Sequence, residues 1–272
     1  MHQIFQTIRH TVVASCVGLA MLAGTAAHAA DKVSGDLGIS YNTHFISYGA
    51  DVWGGGGEFY GDKSTTFATG TLTVKLTDSL SVNTGAWADI NNNTTSSIGG
   101  NLQEVDVWFG ASYAIGPVTV GATYQSWNYA GDVEEILDVS LGLDDSKWLK
   151  KYALNPGVVW HYRMSGNGSQ QVGSAVVVSI KPGMQLTSDL SLGFPAGIGF
   201  FTTDDFQGGT QSGYGYSYIG ASLGYPLKFI PAAYGAWSAN FDLIAYFTDK
   251  DAIPGNPASS FVTGSVGLAL SF

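Results

Sequence analysis

Apolar and polar side chains alternate one by one along a series of short segments. In residues 80–90, Leu80, Val82, Thr84, Ala86, Ala88 and Ile90 share one face, and Ser81, Asn83, Gly85, Trp87 and Asp89 share the other. In residues 237–247, Trp237, Ala239, Phe241, Leu243, Ala245 and Phe247 oppose Ser238, Asn240, Asp242, Ile244 and Tyr246. A period of two belongs to a strand with two unlike faces, and no stretch sustains the 3.6-residue period of an amphipathic helix. The chain is therefore constrained to an all-β fold.

Such segments number about twelve. They are expected at 33–45, 67–76, 80–90, 104–114, 118–127, 136–143, 155–164, 174–186, 190–201, 215–226, 237–247 and 261–272. The stretch 174–186 alternates least cleanly, because Val176, Val177 and Val178 are adjacent and Pro182 lacks an amide donor. Connections alternate in length. Tight turns fall at 77–79, 115–117 and 187–189, and long polar loops at 46–66, 91–103, 165–173, 202–214 and 248–260. All the long loops lie at one end of an up-and-down meander, the asymmetry of an outer-membrane barrel with short inner turns and long external loops. Segment 144–154 is longer than its neighbours at the turn end and carries Lys147, Trp148, Lys150 and Lys151, which fits a short helix or amphipathic turn at the inner rim.

Composition agrees with a lipid-facing surface. Hydrophobic residues make up 45% of the chain and charged residues 12%, about half the usual ~25% of soluble domains. One residue in two is apolar along each strand, so no window is long and apolar enough to read as a membrane helix. Strands that cross lipid must satisfy every backbone donor by closing on themselves. An even strand number leaves both ends of the meander on one side. The basic residues number 11 against 21 acidic ones, a net charge of −10, which gives nucleic acid no basic footprint.

The first residues carry their own signal. Arg9 and His10 precede an apolar stretch from residue 11 to 26, and Ala27-His28-Ala29 follows as a small-x-small cleavage site. We expect a secretory signal peptide over 1–29 and a barrel over 30–272. Cys16, the one cysteine, leaves with the leader, so the barrel has no disulfide. Arg163 is its one arginine.

Aromatics fall at two levels, as expected for the two membrane interfaces. With the first strand running outward, Tyr113, Tyr225, Trp237 and Phe272 lie at the inner ends. Tyr41, Tyr124, Trp160, Tyr218 and Phe247 lie near the external ends. In the last strand Val266, Leu268, Leu270 and Phe272 alternate on one face. This resembles the C-terminal recognition signal by which the barrel-assembly machinery of Gram-negative bacteria takes up outer-membrane proteins. Gly35-Asp36-Leu37-Gly38-Ile39-Ser40-Tyr41 running into a Gly-rich loop, Glu104-Val105-Asp106-Val107 opening a strand, and Tyr124-Gln125-Ser126-Trp127-Asn128-Tyr129 before an acidic stretch together resemble the TorF-type porins. The likeness covers the first half of the barrel. Ser47-Tyr48-Gly49 replaces the Arg-Gly pair common in that group, so the resemblance implies a class, passive transport by a small outer-membrane barrel, and no binding residue.

If the apolar faces meet lipid, the alternate residues line the lumen: Asp36, His44, Lys75, Asp89, Glu104, Asp106, Asp138, His161, Arg163 and Asp242, with Trp87, Trp108 and Tyr246. Asp89 ends one strand, and Glu104 and Asp106 open the next, so the three acids should gather near the external mouth. Two arrangements are open. The acids form a cation-attracting constriction, or they join Arg163, Lys75 and His161 in a charge-paired network that plugs the barrel. An anion channel would need an arginine ladder. The inward Trp87 and Trp108 could narrow a lumen of this size.

Catalysis has little to work with. His44 and Ser47 are three apart and point to opposite faces. His161 has Ser165 four residues on, across a strand end. No cysteine and two separated histidines make no zinc site. Asp204, Asp205, Asp249 and Asp251 read as solvated loop acids, and Gly54-Gly55-Gly56-Gly57, with no following Lys, as a flexible loop. The expectation is a porin-like channel that passes small solutes, cations or neutral molecules before anions, with outer-membrane lipid around it and no cofactor. A closed structural or adhesion barrel, and less so a lipid-modifying barrel enzyme or a secreted sandwich, are the alternatives.

Overall fold

The computed structural model describes residues 32–60, 62–166 and 171–272. The leader expected over 1–29 lies outside them. One antiparallel sheet runs through β1 (Val33–Asn42), β4 (Thr65–Lys75), β5 (Leu80–Ile90), β6 (Leu102–Ile115), β7 (Val118–Tyr129), β8 (Asp132–Leu143) and β9 (Gly157–Ser165). It continues through β10 (Gly173–Ile180), β13 (Ala196–Phe201), β14 (Gly213–Pro226), β15 (Ala236–Thr248) and β16 (Ser260–Ser271), and β16 pairs back onto β1. β11 (Gly183–Gln185) prolongs β10, and β12 (Ser191–Gly193) prolongs β13. The result is a closed twelve-stranded barrel in which every strand pairs with its neighbours in sequence. A small hairpin of β2 (Ile46–Ser47) and β3 (Ala50–Asp51) stands apart in the first loop.

Local chemistry explains the departures from simple alternation. Pro182 and Pro195 interrupt two neighbouring strands where their missing amides cannot join the ladder. The carbonyls beside the break are still used, with Phe194 N–H donating to Pro182 O at 2.8 Å and Gly220 N–H to Pro195 O at 2.8 Å. β7 and β8 run further than their apolar pattern predicts and meet in a two-residue turn. Ala130 and Gly131 both have positive φ, 51° and 81°, as a type I′ hairpin needs. β1 is shorter than expected and ends at Asn42 because Thr43, His44 and Phe45 turn into the barrel, where all three are buried. At the turn end a short helix (Ser146–Leu149) and a 3₁₀ turn (Lys150–Tyr152) occupy the segment read as an amphipathic rim. The buried Asp145 carboxylate holds that segment by accepting from Leu154 N–H and Asn155 N–H, both at 3.0 Å.

The outer wall is apolar and exposed: Ile39, Phe109, Ile115, Leu141, Ile219, Val266 and Leu268 all project from it. In water such a surface would drive aggregation, whereas against acyl chains it is the low-energy face. No helix is long and apolar enough to cross a membrane among the described residues. Tyr113, Tyr225 and Phe272 are exposed at one level, and Tyr41, Tyr124, Trp160 and Phe247 at the other. Tyr218 departs from that girdle. Its position in β14 has lumen parity, and its ring lies 5.8 Å from the buried Tyr246.

The seam between β1 and β16 joins Leu37 to Leu270 and Ile39 to Leu268. Gly35 N–H donates to Phe272 O at 2.8 Å, and Phe272 N–H returns to Gly35 O at 3.0 Å. The Phe272 ring lies over Gly35, where a Cβ would come within 2.4 Å of it. Gly35→Val should therefore displace the ring and weaken closure by about 1–3 kcal/mol. Heat-modified gel mobility checks this: the variant should lose its compact form at a lower temperature, and an unchanged midpoint would sink the assignment.

Candidate functional site in the barrel lumen

Inward positions differ between the two halves of the barrel. At the turn half many are small and uncharged, such as Gly38, Ser40, Thr69, Gly85, Gly110, Ser222, Gly224 and Gly267, with Asn240, Asp242 and Lys181 among them. Small side chains leave space, and a cavity of about 930 Å³ opens there, with Phe67, Trp87, Thr69, Asn240 and Asp242 on its wall. Asp242 accepts from Ser265 Oγ at 2.9 Å. Trp108 lies on the same inner wall, its indole over Gly85, where a Cβ would collide with it.

The loop half is filled from above. Residues 43–57 fold inward, and loops 202–212 and 249–259 meet them. Asn256 fastens them together. Its side-chain oxygen accepts from Asp51 N–H at 2.7 Å, and its amide donates to Gly49 O at 2.8 Å and Thr248 Oγ1 at 3.1 Å. Gln207 Nε2 donates to Ser47 O at 3.0 Å. The apolar core of the molecule lies here, inside the barrel: Ala175, Phe201, Phe206, Tyr216, Ala252 and Ile253. Gly49, at φ 81°, approaches Tyr216 so closely that a Cβ would lie 2.5 Å from its ring.

Charged residues of the wall serve as anchor points for these loops. Asp89 is fully buried and accepts from Trp53 Nε1 at 2.9 Å, from Asn91 Nδ2 at 2.9 Å and from the Thr65 hydroxyl. Glu104 faces Asp89 across β5 and β6, and Asp106 faces Trp87. The three acids expected to gather at the mouth are thus neighbours, but they lie beneath the first loop and not at an open rim. Glu104 and Asp106 are 7% and 8% exposed, and Asp106 Oδ1 has no hydrogen-bond partner.

Arg163 is not their counter-ion. Its Nε pairs with the buried Glu134 carboxylate, its Nη1 donates to Phe206 O at 2.7 Å and Gln171 O at 3.2 Å, and its guanidinium lies 4.2 Å from the Phe206 ring centre. Tyr129 also donates its hydroxyl to Glu134. Asp138 accepts from Gln125 Nε2 at 2.6 Å and lies 2.6 Å from His161 Nδ1, which is also 2.6 Å from the Tyr48 hydroxyl. Lys75 is exposed at the turn end, outside this network, and Asp36 accepts there from Ser271 Oγ at 2.6 Å. His44 lies between Thr43 Oγ1 at 2.9 Å and Gly56 O at 3.1 Å. Both described histidines are buried on the lumen side, 4% and 0% exposed, so neither imidazole reaches a lipid chain on the outer wall.

Burial sets the acid–base character of the loop groups. It raises the carboxyl of Asp51 above its ordinary value, against the partial opposition of His44 and the glycine amides beside it. Burial, with the Asp138 charge nearby, raises the Tyr48 phenol well above its usual range. Along the barrel axis the charges are unevenly spread. Lys147, Lys150, Lys151 and Lys228 mark the turn end, while the buried acids Asp51, Asp89, Glu104, Asp106 and Glu134 lie in the loop half.

A second cavity, about 410 Å³, lies between the inward loops and the wall, bordered by Phe45, Asp51, Trp53, Glu104, Trp127, Tyr129, Glu134 and Arg163. Phe45 stands at its boundary with the larger cavity. Its ring centre is 5.2 Å from both Phe67 and Trp87, which line the other side. No metal cluster of three or more His, Cys, Asp or Glu is present among the described residues.

Sequence reasoning did not find Glu134, Tyr48, Phe45, Trp53 or Asn256. Glu134 had a usable signal. Once β8 is extended to Asp132, parity puts Glu134 on the same face as Asp138. The others are loop residues, whose inward path has no period to reveal it.

No protein-family model matches the chain, and no curated protein sequence does. Among solved structures, a NanC porin is similar over 87% of this chain and 98% of its own, at 11% identity and a TM-score of 0.50. A KdgM porin in complex with disordered oligogalacturonate aligns over 88% and 99%, at 7% identity and a TM-score of 0.47. The COG4313 outer membrane channel from Pseudomonas putida F1 aligns over 89% and 96%, at 13% identity and 0.48. At 11% identity the likeness to the NanC porin is one of fold, and what this chain shares with it is the closed antiparallel β-barrel.

Proposed function

We propose that the protein is an outer-membrane porin-like channel for the diffusion or uptake of small solutes, with cations and neutral molecules favoured over anions. The observation that carries this reading is the contrast between the two halves of the lumen. A cavity with many Gly and Ser residues on its wall, and Asp242 and Lys181 as its charged residues, opens at the turn end, and the route to the outside passes buried acids. A constriction bordered by carboxylates in a low-dielectric wall attracts cations and repels anions. Arg163, the one arginine among the described residues, is held by Glu134 and two carbonyls, which leaves no free guanidinium there for an anionic solute.

In the same reading, residues 1–29 direct export, and Phe272, Leu270 and Leu268 present the last strand to the assembly machinery. The TorF-type porins are the group in which we place the chain. The acidic stretch beneath the loops comprises Asp89, Glu104, Asp106 and Asp138, and Arg163 beside it is paired with Glu134. Asp242, Trp87 and Trp108 border the passage below.

Planar-bilayer recording tests it. Purified barrel should conduct and show a cation-selective reversal potential in a salt gradient. The triple variant D89N/E104Q/D106N should lose most of that preference, and unchanged selectivity would remove these acids from the role. Loop packing favours a second reading, a closed barrel acting through its external surface. A folded protein that never conducts would establish that reading in place of the first.

A further inference from the structure

The 410 Å³ cavity holds a feature that the salt bridges leave unresolved. Glu104 is 7% exposed and lines this cavity. Its carboxyl is hydrogen-bonded to that of Asp106, so two acids are paired here with no cation of the described residues between them. One oxygen of the Asp106 carboxyl is without a partner. Across the cavity Asp51 is 5% exposed, and its Oδ1 is unpartnered as well. Arg163, the one cation on the wall, is already committed to Glu134, Phe206 O and Gln171 O. Buried carboxylates without donors are costly unless a cation joins them.

The remaining wall says which cation. Phe45, Trp53, Trp127 and Tyr129 contribute aromatic rings. Aromatic faces beside carboxylates attract alkylammonium groups, which need no fixed set of oxygen ligands. A hard metal ion would need such a set, and the described residues hold no cluster of that kind. The space equals that of roughly a dozen waters at ~30 Å³ each, more than a bare ion fills and enough for a small organic molecule.

We propose that this cavity is a binding site for a small organic ammonium ion, with the Glu104 carboxylate as its principal counter-charge and the rings of Trp53 and Trp127 against its alkyl groups. The site rests on the cation-channel reading and names its solute class. The ammonium enters from the loop side, supplies the donor that Asp51 Oδ1 lacks and the positive charge that the Glu104–Asp106 pair lacks, and leaves towards the larger cavity past Phe45.

The test uses the folded full-length barrel in detergent, with tetramethylammonium and choline as probes and tryptophan fluorescence as readout. Both should change the emission saturably, and sodium and acetate at equal concentration should not. E104Q should weaken the affinity at least tenfold, and D106N should weaken it too. D78N, an exposed acid in an inner turn, should leave it unchanged. Heat-modified mobility confirms that each variant is folded. No saturable change, equal affinity in folded E104Q, or an equal response to sodium overturns the site. Failure here is separable from failure of the channel reading. A barrel that conducts cations but does not bind tetramethylammonium loses the site and keeps the channel. One that binds without conducting keeps the site and loses the channel.

Discussion

Arg163→Ala should destabilise the barrel by about 3–5 kcal/mol, because it leaves Glu134 charged and buried with no counter-ion. Glu134 is 1% exposed, and the Tyr129 hydroxyl is the donor it would keep. The same change frees Phe206 O and removes the guanidinium from the Phe206 ring, so loop 202–212 should lose its hold on the wall. Urea unfolding in detergent measures the first effect, and amide exchange along residues 202–212 the second. Replacing both partners, with Arg163→Met and Glu134→Leu, should recover most of the loss, since two apolar side chains leave no charge stranded. A single variant within ~0.5 kcal/mol of the parent would show the pair to be solvated and the plug not anchored there.

The largest functional effect is expected at Phe45. Its ring separates the two cavities, and truncation to alanine should join them. Single-channel conductance of Phe45→Ala should rise at least about threefold, because a hydrophobic constriction limits flow by excluding water and ions. Stability should fall by about 3–5 kcal/mol from the space left behind, so conductance is to be compared between folded channels counted by their compact gel form. Trp53→Phe provides a second route to the same outcome. It removes the indole N–H that Asp89 accepts while keeping most of the ring, and should loosen the first loop with a smaller rise. Unchanged conductance in both variants would mean that solute takes another path or that the barrel is closed elsewhere.

Particular residues show how far each level of information reaches. Alternation in residues 80–90 and 237–247 matches β5 and β15 closely, because a strand with lipid on one side and a polar lumen on the other writes its own period into the chain. The same parity puts Trp87, Asp89, Glu104, Asp106, Asp138 and Asp242 on the inner face. Where a side chain goes wrong, a local reason exists. Tyr218 is apolar enough for an interface yet has lumen parity, and the rings of Tyr216, stacked on it, and Tyr246, tilted against it, accept it. Residues 132–135 hide a strand because three of the four are acids, whose polarity looks like loop, although they pair with residues 126–129 across a two-residue turn.

The amino-acid sequence by itself determined the barrel, its strand count, which face meets lipid and the acidic sign of the lumen. These follow from period and composition, which every strand repeats. Tertiary structure alone decided what the acids do. Whether Asp89 borders open water or holds Trp53, and whether Arg163 faces the three acids or Glu134, depends on loops that fold back through the mouth. Their contacts join residues more than two hundred positions apart, such as Asn256 with Gly49 and Asp51. Such contacts are selected by packing in a closed space, and no local pattern encodes them.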